Sequence, residues 1–161
     1  MAGVMQQGRH WCFEMNIDER IKSLSKVLNN LISAKSIMYN EWSPKLYSKE
    51  LQGSAGVYHF YEESGKGIRS LYIGKAGVGK GGNWDLYQRL KQHFQPSQEN
   101  TYLGKFAKSK SLSGEEALEL LNGSQVKLQW VSFKPTSNLE KKLMNIECFC
   151  KAVLDPKYTD E

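Results

Sequence analysis

The fold is decided by residues 56–74, which read GVYHFYEESGKGIRSLYIG. Valine, phenylalanine and tyrosine favour strands, and they fill most of residues 56–61. Residues 69–74 form a second run of this kind, and residues 63–67 between the two runs are rich in glycine and polar side chains, as turns are. This arrangement predicts a β-hairpin.

The chain on both sides of the hairpin is mostly helical in pattern. Apolar residues recur every three or four positions from Asn16 or Asp18 to about Tyr39, which predicts an amphipathic helix. The mixed stretch from Pro44 to Ser54 reads as a connector. Downstream we predict a glycine-rich loop at 77–82, helices at 84–94, 103–109, 114–121 and 138–154, and a third strand at 125–133. The predicted caps of three of these helices are Asn83, Ser113 (with Glu116) and Ser137.

Elements in this order predict an α+β protein, with a small mixed three-stranded β-sheet flanked by helices. Residues 1–54 are predicted to form an N-terminal helical extension, and residues 55–161 the domain that contains the sheet. The apolar stripe of the first helix is expected to pack on that domain, and a homodimer interface is the alternative.

The composition indicates a folded protein whose charge favours an anionic partner. Among the 161 residues, 40% are hydrophobic, and 22 Lys and Arg stand against 17 Asp and Glu, a net charge of +5. This excess is compatible with nucleic acid but does not identify it.

The cysteines and the lack of targeting segments predict a cytoplasmic protein. Cys12, Cys148 and Cys150 are an odd number, and the last two lack the spacing of a metal finger, so we expect free thiols in a reducing compartment. We identify no signal peptide and no run of 18 apolar residues, so no membrane segment is expected.

The glycine-rich loop is close to two nucleotide-binding motifs and fits neither. Residues 74–81 differ from a P-loop at Gly81, where the motif needs a hydroxyl to hold Mg²⁺. Residues 77–82 match the glycine spacing of a dinucleotide fingerprint, but Glu99, the candidate acidic residue, lies in a polar stretch that does not read as a strand. Nucleotide hydrolysis is therefore a disfavoured alternative, and we expect the loop to lie along a phosphate backbone.

Three segments carry a resemblance to the GIY-YIG endonuclease family. Residues 56–58 read GVY, residues 71–76 read LYIGKA, and residues 86–93 read LYQRLKQH. Valine stands where the family name has isoleucine. The family's pattern ends with a glutamate on a C-terminal helix, before a proline and a short polar tail, and Glu147 followed by Pro156 matches it. The resemblance covers about residues 55–158 and implies a DNA endonuclease that depends on Mg²⁺ or Mn²⁺.

The resemblance implies a role for each of five residues. Tyr58 would orient or deprotonate the attacking water, and His93 would take up the proton from that phenol or water. Arg89 would grip the scissile phosphate, Tyr72 would hydrogen-bond a phosphate oxygen, and Glu147 would bind the metal. These residue types suit phosphodiester hydrolysis, which needs an activated water, neutralised phosphate charge and help for the leaving oxygen. Spacing alone places Arg89 and His93 on one helix face.

Two glutamates of the last helix compete for the metal. Glu140 and Glu147 are seven residues apart and lie on nearly the same face. Glu140 comes three residues after Ser137, which gives it a capping role. Glu147 lies beside the apolar positions Leu143 and Cys150, where a carboxylate is costly without a positive partner. The metal is therefore assigned to Glu147, with Glu140 as the alternative.

Lysines are expected to contact the DNA phosphates, namely Lys75, Lys80 and Lys91. Four further residues are expected to be structural: Tyr61, Tyr87, His10 and His59. The main alternative to a nuclease is a non-catalytic DNA-binding module of the same fold, since a tyrosine in a strand or an arginine on a helix is more often structural than catalytic when taken alone.

Overall fold

The computed structural model of the chain describes residues 16–77 and 84–159. In chain order the elements are α1 (Ile17–Ile32), β1 (Ile37–Met38), a 3₁₀ helix (Tyr39–Glu41), α2 (Pro44–Leu51), β2 (Ala55–Ser64), β3 (Gly67–Ala76), α3 (Leu86–Gln92), α4 (Tyr102–Lys110), α5 (Gly114–Asn122), β4 (Lys127–Phe133) and α6 (Leu139–Leu154). This is the α+β class that the sequence predicts.

The sheet has four strands in the order β1-β4-β2-β3, and every pairing between these strands is antiparallel. The prediction of a mixed, three-stranded sheet was therefore wrong in both respects. An isolated bridge between Tyr72 and Tyr158 adds a parallel contact at the outer edge of β3. Within the described residues the sheet lacks the parallel strands that a P-loop domain requires, which weakens the nucleotide-hydrolase alternative.

The chain before the hairpin differs most from the prediction. Helix α1 ends at Ile32, and the residues expected to continue it form β1, which pairs with β4 through Ile37 and Leu128. The predicted connector contains α2, with Pro44 at its first turn. Proline is favoured there because the first helical N–H has no partner within the helix.

The predicted hairpin is confirmed. Strands β2 and β3 are joined by Gly65 and Lys66, and Gly67 has a φ of 118°, a conformation that side chains disfavour. The register pairs Tyr58 with Gly74. The hairpin therefore brings the GVY and YIG segments side by side.

Successive residues of β2 and β3 point to opposite faces of the sheet, and each face has its own core. Tyr58, Phe60 and Tyr72 lie in one core, together with residues of α2, α3, α4 and α5. Val57 and Ile73 lie in the other, with residues of α1 and α6. Along each of the two motif segments, successive residues therefore alternate between the core that contains Tyr58 and Tyr72 and the core beneath α1 and α6.

Residues from both sides of the predicted boundary at 54/55 share these cores. Tyr39 and Leu51 are buried with Tyr58, so the N-terminal region is integrated with the sheet. In α1, Leu28 and Leu31 are buried, whereas Ile17 and Ile21 are 74% and 52% exposed. Packing of α1 on the sheet is therefore confirmed for its second half, and the homodimer interface stays a prediction.

Two of the three predicted helix caps, Ser113 and Ser137, lie among the described residues. Asn83 lies outside the described residues, and the cap of α3 is Asp85, whose Oδ1 accepts a hydrogen bond from the N–H of Gln88 at 2.9 Å. Ser113 and Glu116 form the predicted capping box of α5.

The described cysteines are free thiols, as expected. Cys148 is exposed and Cys150 is buried, and Cys12 lies outside the described residues. Burial, with a smaller contribution from Glu147, raises the pKa of Cys150 to about 11, which makes it an unreactive thiol. None of the helices in the described ranges has the length and apolarity that a membrane span requires.

Candidate active site

The hairpin presents two phenols on one face of the sheet. The rings of Tyr58 and Tyr72 are both fully buried, and their centroids are 6.3 Å apart. Tyr58 lies across Gly74, where a Cβ atom would come within 2.8 Å of the ring carbon Cε2. Glycine at position 74 is therefore required by the close approach of the Tyr58 ring.

Helix α3 brings an imidazole and a guanidinium to the first phenol. Tyr58 Oη lies 2.8 Å from Nε2 of His93, which follows α3 as its C-cap. Nε of Arg89 donates a hydrogen bond to the same oxygen at 3.2 Å. The prediction that Arg89 and His93 share one face of their helix is confirmed, because both side chains contact the oxygen of Tyr58.

The hydrogen bonds of His93 define its tautomer. The main-chain N–H of Tyr102 donates to Nδ1 at 2.9 Å, so Nδ1 must accept. Burial, and secondarily the charge of Arg89, lowers the pKa of His93 well below its usual value. The imidazole is therefore neutral, with its proton on Nε2, and it donates that proton's hydrogen bond to Tyr58. This arrangement argues against the expected transfer of the Tyr58 proton to His93.

The guanidinium of Arg89 is held at several points. Its terminal nitrogens donate to Oε1 of Gln92 at 2.9 Å and to the carbonyl of Asn100 at 3.1 Å, and the side chain also hydrogen-bonds Tyr72. Burial lowers the pKa of Arg89, but the phenols of Tyr58 and Tyr72 more than offset this effect, so the pKa lies above its usual value. Arg89 is a fixed positive charge that links both phenols.

A hollow of about 300 Å³, called the central hollow below, connects these groups with α6. Its lining residues are Tyr58, Tyr72, Gly74, Lys75, Arg89, Glu147 and Lys151. The side chain of Glu147 is 12% exposed, and its Oε1 lies 2.9 Å from Nζ of Lys151. Four of the five predicted catalytic residues therefore line this hollow, although they come from β2, β3, α3 and α6. The fifth, His93, is fully buried and is connected to the hollow through its hydrogen bond with Tyr58.

The competing glutamate lies elsewhere. Glu140 lines a separate hollow with Gly77 and Pro135, and a Cβ atom on Gly77 would be 3.8 Å from Oε1 of Glu140. Helix α6 begins at Leu139 and has no capping hydrogen bond from the side chain at its N-cap. The predicted capping role of Ser137 was therefore wrong, because the helix begins one residue later than expected. The geometry favours Glu147 over Glu140.

Of the three lysines predicted to contact DNA, one lines the central hollow. Lys75 lines the central hollow, Lys91 lies on α3 outside it, and Lys80 is outside the described residues. Lys151 was missed by the sequence reasoning. The signal that could have found it is its spacing of four residues from Glu147, which places the two side chains next to each other on a helix.

The residues expected to be structural are buried where the structure describes them. Tyr61 and Tyr87 belong to the packed interior, and His10 is outside the described residues. His59 had no expected partner, but it is fully buried on the opposite face of the sheet from Tyr58. Its Nε2 lies 2.9 Å from Oγ of Ser70, and its Nδ1 lies 3.1 Å from the side-chain amide of Gln129. It takes no part in the central hollow.

Another hollow is larger than the central hollow but contains fewer reactive groups. It has a volume of about 670 Å³ and lies between α1 and α6. Arg20, Lys141 and Lys142 line it, together with Asn, Ser and aliphatic side chains, and its lining includes no carboxylate, imidazole or phenol. We therefore base the functional assignment on the central hollow, where acid–base groups meet.

Within the part of the chain that the structure describes, Glu147 is the one carboxylate that lines the central hollow, and it is the residue there that could bind a hard divalent cation. Among the described residues, no three His, Cys, Asp or Glu side chains form a cluster that could enclose a metal ion. Mg²⁺ does not need such a cluster, because it commonly binds through one or two carboxylates and keeps several waters. Glu147 supplies one carboxylate beside solvent and beside the phenols. A single carboxylate is compatible with a Mg²⁺ ion whose other ligands are water and a substrate phosphate.

Comparisons with family models, curated proteins and solved structures found no match to this chain. The functional assignment therefore depends on the motif residues and on the geometry of the central hollow.

Proposed function

We propose that this protein is a metal-dependent endonuclease of the GIY-YIG type that hydrolyses phosphodiester bonds in DNA. The observation that carries the proposal is that Tyr58, Tyr72, Arg89 and Glu147 line the central hollow, and that His93 hydrogen-bonds Tyr58 from the buried interior. These five residues come from distant parts of the chain, each is of a type that this hydrolysis needs, and the hollow beside them is large enough for a phosphate group.

Tyr58 is the proposed general base. Its phenol oxygen receives hydrogen bonds from Nε of Arg89 and from Nε2 of His93. These two donors, one of them charged, would stabilise negative charge on this oxygen when its proton leaves. After losing its proton to solvent, Tyr58 accepts a proton from the water that attacks phosphorus, while His93 stays neutral and holds the phenolate in place.

Arg89 and Lys75 supply the positive charge for the phosphate. Lys75 lines the central hollow, and the charge of Arg89 lies between the two phenols. Because some N–H groups of Arg89 already donate to Gln92 and Asn100, a two-point grip on the phosphate requires at least one of these bonds to open. Tyr72 is the proposed hydrogen-bond partner of a non-bridging phosphate oxygen.

Glu147 is the residue proposed to hold the cation. A bound Mg²⁺ or Mn²⁺ ion would supply positive charge at the phosphate and at the leaving 3′-oxygen. Two observations support this assignment: Glu147 is carried by a long helix, and its side chain lines the central hollow while being mostly buried.

The decisive experiment compares two glutamate variants of the same helix. Glu147→Gln is expected to reduce Mg²⁺-dependent cleavage of supercoiled plasmid by about two orders of magnitude or more, because the cation loses its carboxylate ligand. DNA binding, measured by gel shift, is expected to persist. Glu140→Gln is the matched control and should cut normally, since Glu140 lies in another hollow.

Two outcomes would contradict the proposal. If the wild-type protein binds DNA but never cuts plasmid with Mg²⁺ or Mn²⁺, the chain is a binding module that keeps the fold. If Glu147→Gln retains full activity while Glu140→Gln loses it, the assignment of the cation ligand is wrong.

A further inference from the structure

Lys151 is a charged residue of the central hollow to which the proposed reaction gives no role. It lies one turn after Glu147 on α6, and its Nζ is 2.9 Å from Oε1 of that carboxylate. The two side chains are 23% and 12% exposed, so the pair is partly shielded from water. Lys151 therefore contacts one of the two oxygens through which Glu147 would bind a cation.

The charges of the central hollow favour an anion. Lys75, Arg89 and Lys151 contribute three positive charges and Glu147 one negative charge, which leaves a net +2. A phosphodiester carries one negative charge, so the hollow can accept it even when Lys151 is paired. When Lys151 is not paired with Glu147, its ammonium group is available to a phosphate oxygen.

We propose that Lys151 is an exchangeable counter-ion of Glu147. Without a divalent cation it neutralises the carboxylate and holds it toward the central hollow. When Glu147 binds a cation, Lys151 leaves the carboxylate and contacts a phosphate oxygen of the DNA. This inference rests on the proposed function, and it adds a residue that contacts the substrate only in the metal-bound protein.

Elementary electrostatics favours the exchange. An ammonium group and a divalent cation repel each other strongly at the separation that sharing one carboxylate would impose. Ion pairs between residues four apart on a helix are weak, so a divalent cation can displace the lysine. The four-carbon stem of lysine lets the ammonium group move while the helix stays in place.

The first test measures metal binding without DNA and without turnover. Lys151→Met removes the charge and keeps a long side chain, and it is expected to bind Mn²⁺ roughly three- to tenfold more tightly in calorimetry, since no ammonium group competes. Lys127→Met is the matched control. It breaks another lysine–glutamate pair, in which Nζ of Lys127 lies 2.7 Å from Oε2 of Glu63, and neither residue lines the central hollow. Unchanged Mn²⁺ affinity in Lys151→Met would overturn the proposal.

The second test measures DNA affinity with and without a divalent cation. In the Tyr58→Phe background with Ca²⁺, Lys151→Met is expected to weaken binding of a DNA duplex roughly three- to tenfold. In EDTA, where Lys151 is paired with Glu147, the double substitution Lys151→Met with Glu147→Gln removes the ion pair without changing the net charge of the hollow and should leave the affinity unchanged. An equal loss under both conditions would overturn the exchange and would make Lys151 a permanent phosphate contact.

A third comparison separates this inference from the proposed function. If Glu147→Gln still binds Mn²⁺ as the wild type does, the assignment of Glu147 as the cation ligand and the counter-ion role of Lys151 are both wrong. If Glu147→Gln loses Mn²⁺ binding but the Lys151 variants bind as the wild type, only the counter-ion proposal fails. Lys151→Gln serves as a second variant, and thermal melts show whether each variant is folded.

Discussion

At the scale of single residues, the hydrogen bond from the main-chain N–H of Tyr102 to Nδ1 of His93 decides what the imidazole can do. It forces the Nε2 proton toward Tyr58, so that His93 is a donor to the phenol. The base of the proposed reaction then becomes the tyrosine, supported by Arg89. A main-chain atom thereby sets the direction of a hydrogen bond between two side chains of the site.

This role can be tested by substituting Tyr102 itself. Tyr102 is the first residue of α4, where proline is tolerated, and Thr101 before it has φ −132° and ψ 170°, which proline also accepts. Tyr102→Ala removes the ring and keeps the N–H, whereas Tyr102→Pro removes both. We expect kcat of Tyr102→Pro to be at least about tenfold lower than that of Tyr102→Ala, because His93 loses the bond that fixes its tautomer.

Because both variants lack the ring of Tyr102, a difference between them reports only the loss of the main-chain N–H. Both should melt below the wild type, since the Tyr102 ring is buried against Phe60. Equal kcat values for the two variants, measured on plasmid nicking, would show that the N–H of residue 102 does not matter for the reaction.

At the scale of elements, the segment after α6 joins the sheet to α4. The N–H groups of Lys157 and Tyr158 donate to the carbonyls of Ser70 and Leu71 at 3.2 and 2.8 Å. The Tyr158 hydroxyl lies 3.2 Å from Oγ of Ser109 on α4. The segment therefore covers the outer edge of β3 next to Tyr72, and it ties that edge to the helix whose first N–H orients His93.

Removing the side chain of Tyr158 should weaken this connection. Tyr158→Ala is expected to lower the free energy of unfolding by about 2 kcal/mol, because a half-buried ring that packs on Tyr102 is lost. Ser109→Ala removes only the hydroxyl partner and should lower it by less than about 1 kcal/mol. Urea denaturation measures both, and a Tyr158→Ala value no larger than that of Ser109→Ala would contradict the packing argument.

The elements differ in how well the sequence predicts them, for physical reasons. The hairpin was predictable because strand-forming runs flank a glycine-rich turn, and α5 because Ser113 and Glu116 form a capping box. β1 has only two residues, too few to show an alternation, and its strand character depends on pairing with β4. α2 was missed because the stretch from Pro44 to Ser54 was interpreted as a connector, although a proline at the first turn also begins helices.

At the scale of the whole molecule, the site forms where residues far apart in sequence meet. Tyr58 and His93 are separated by 35 positions, and Glu147 comes from the last helix. No local pattern encodes such a meeting, so composition and periodicity could not predict it, and the motif resemblance was needed to select the residues. Even that resemblance did not predict Lys151 or the tautomer of His93, because both depend on three-dimensional contacts.

The stability of the whole molecule should depend on the titration of His59. Burial lowers the pKa of His59 to about 4, below the ordinary value of 6.5 that applies in the unfolded chain. Between pH 4 and 6.5 the unfolded state binds the extra proton, so stability is fully present above pH 6.5 and is lost as the pH falls through this window. We expect His59 to account for a loss of about 3 kcal/mol of unfolding free energy.

Urea denaturation at several pH values between 4 and 7 tests this expectation. The variant His59→Gln cannot titrate, so its unfolding free energy should fall less steeply toward pH 4 than that of the wild type. His93 also has a lowered pKa and remains in both proteins, so part of the slope persists. Identical slopes for the two proteins would mean that His59 does not titrate in this window.

The close contact between the Tyr58 ring and Gly74 means that residues 58 and 74 cannot change independently during evolution. Any side chain at position 74 would displace the phenol of Tyr58, so a homologue that keeps the tyrosine must also keep the glycine. If the proposed function is right, selection for cleavage preserves both residues. Replacement of Gly74 would then mark homologues that have lost the proposed activity.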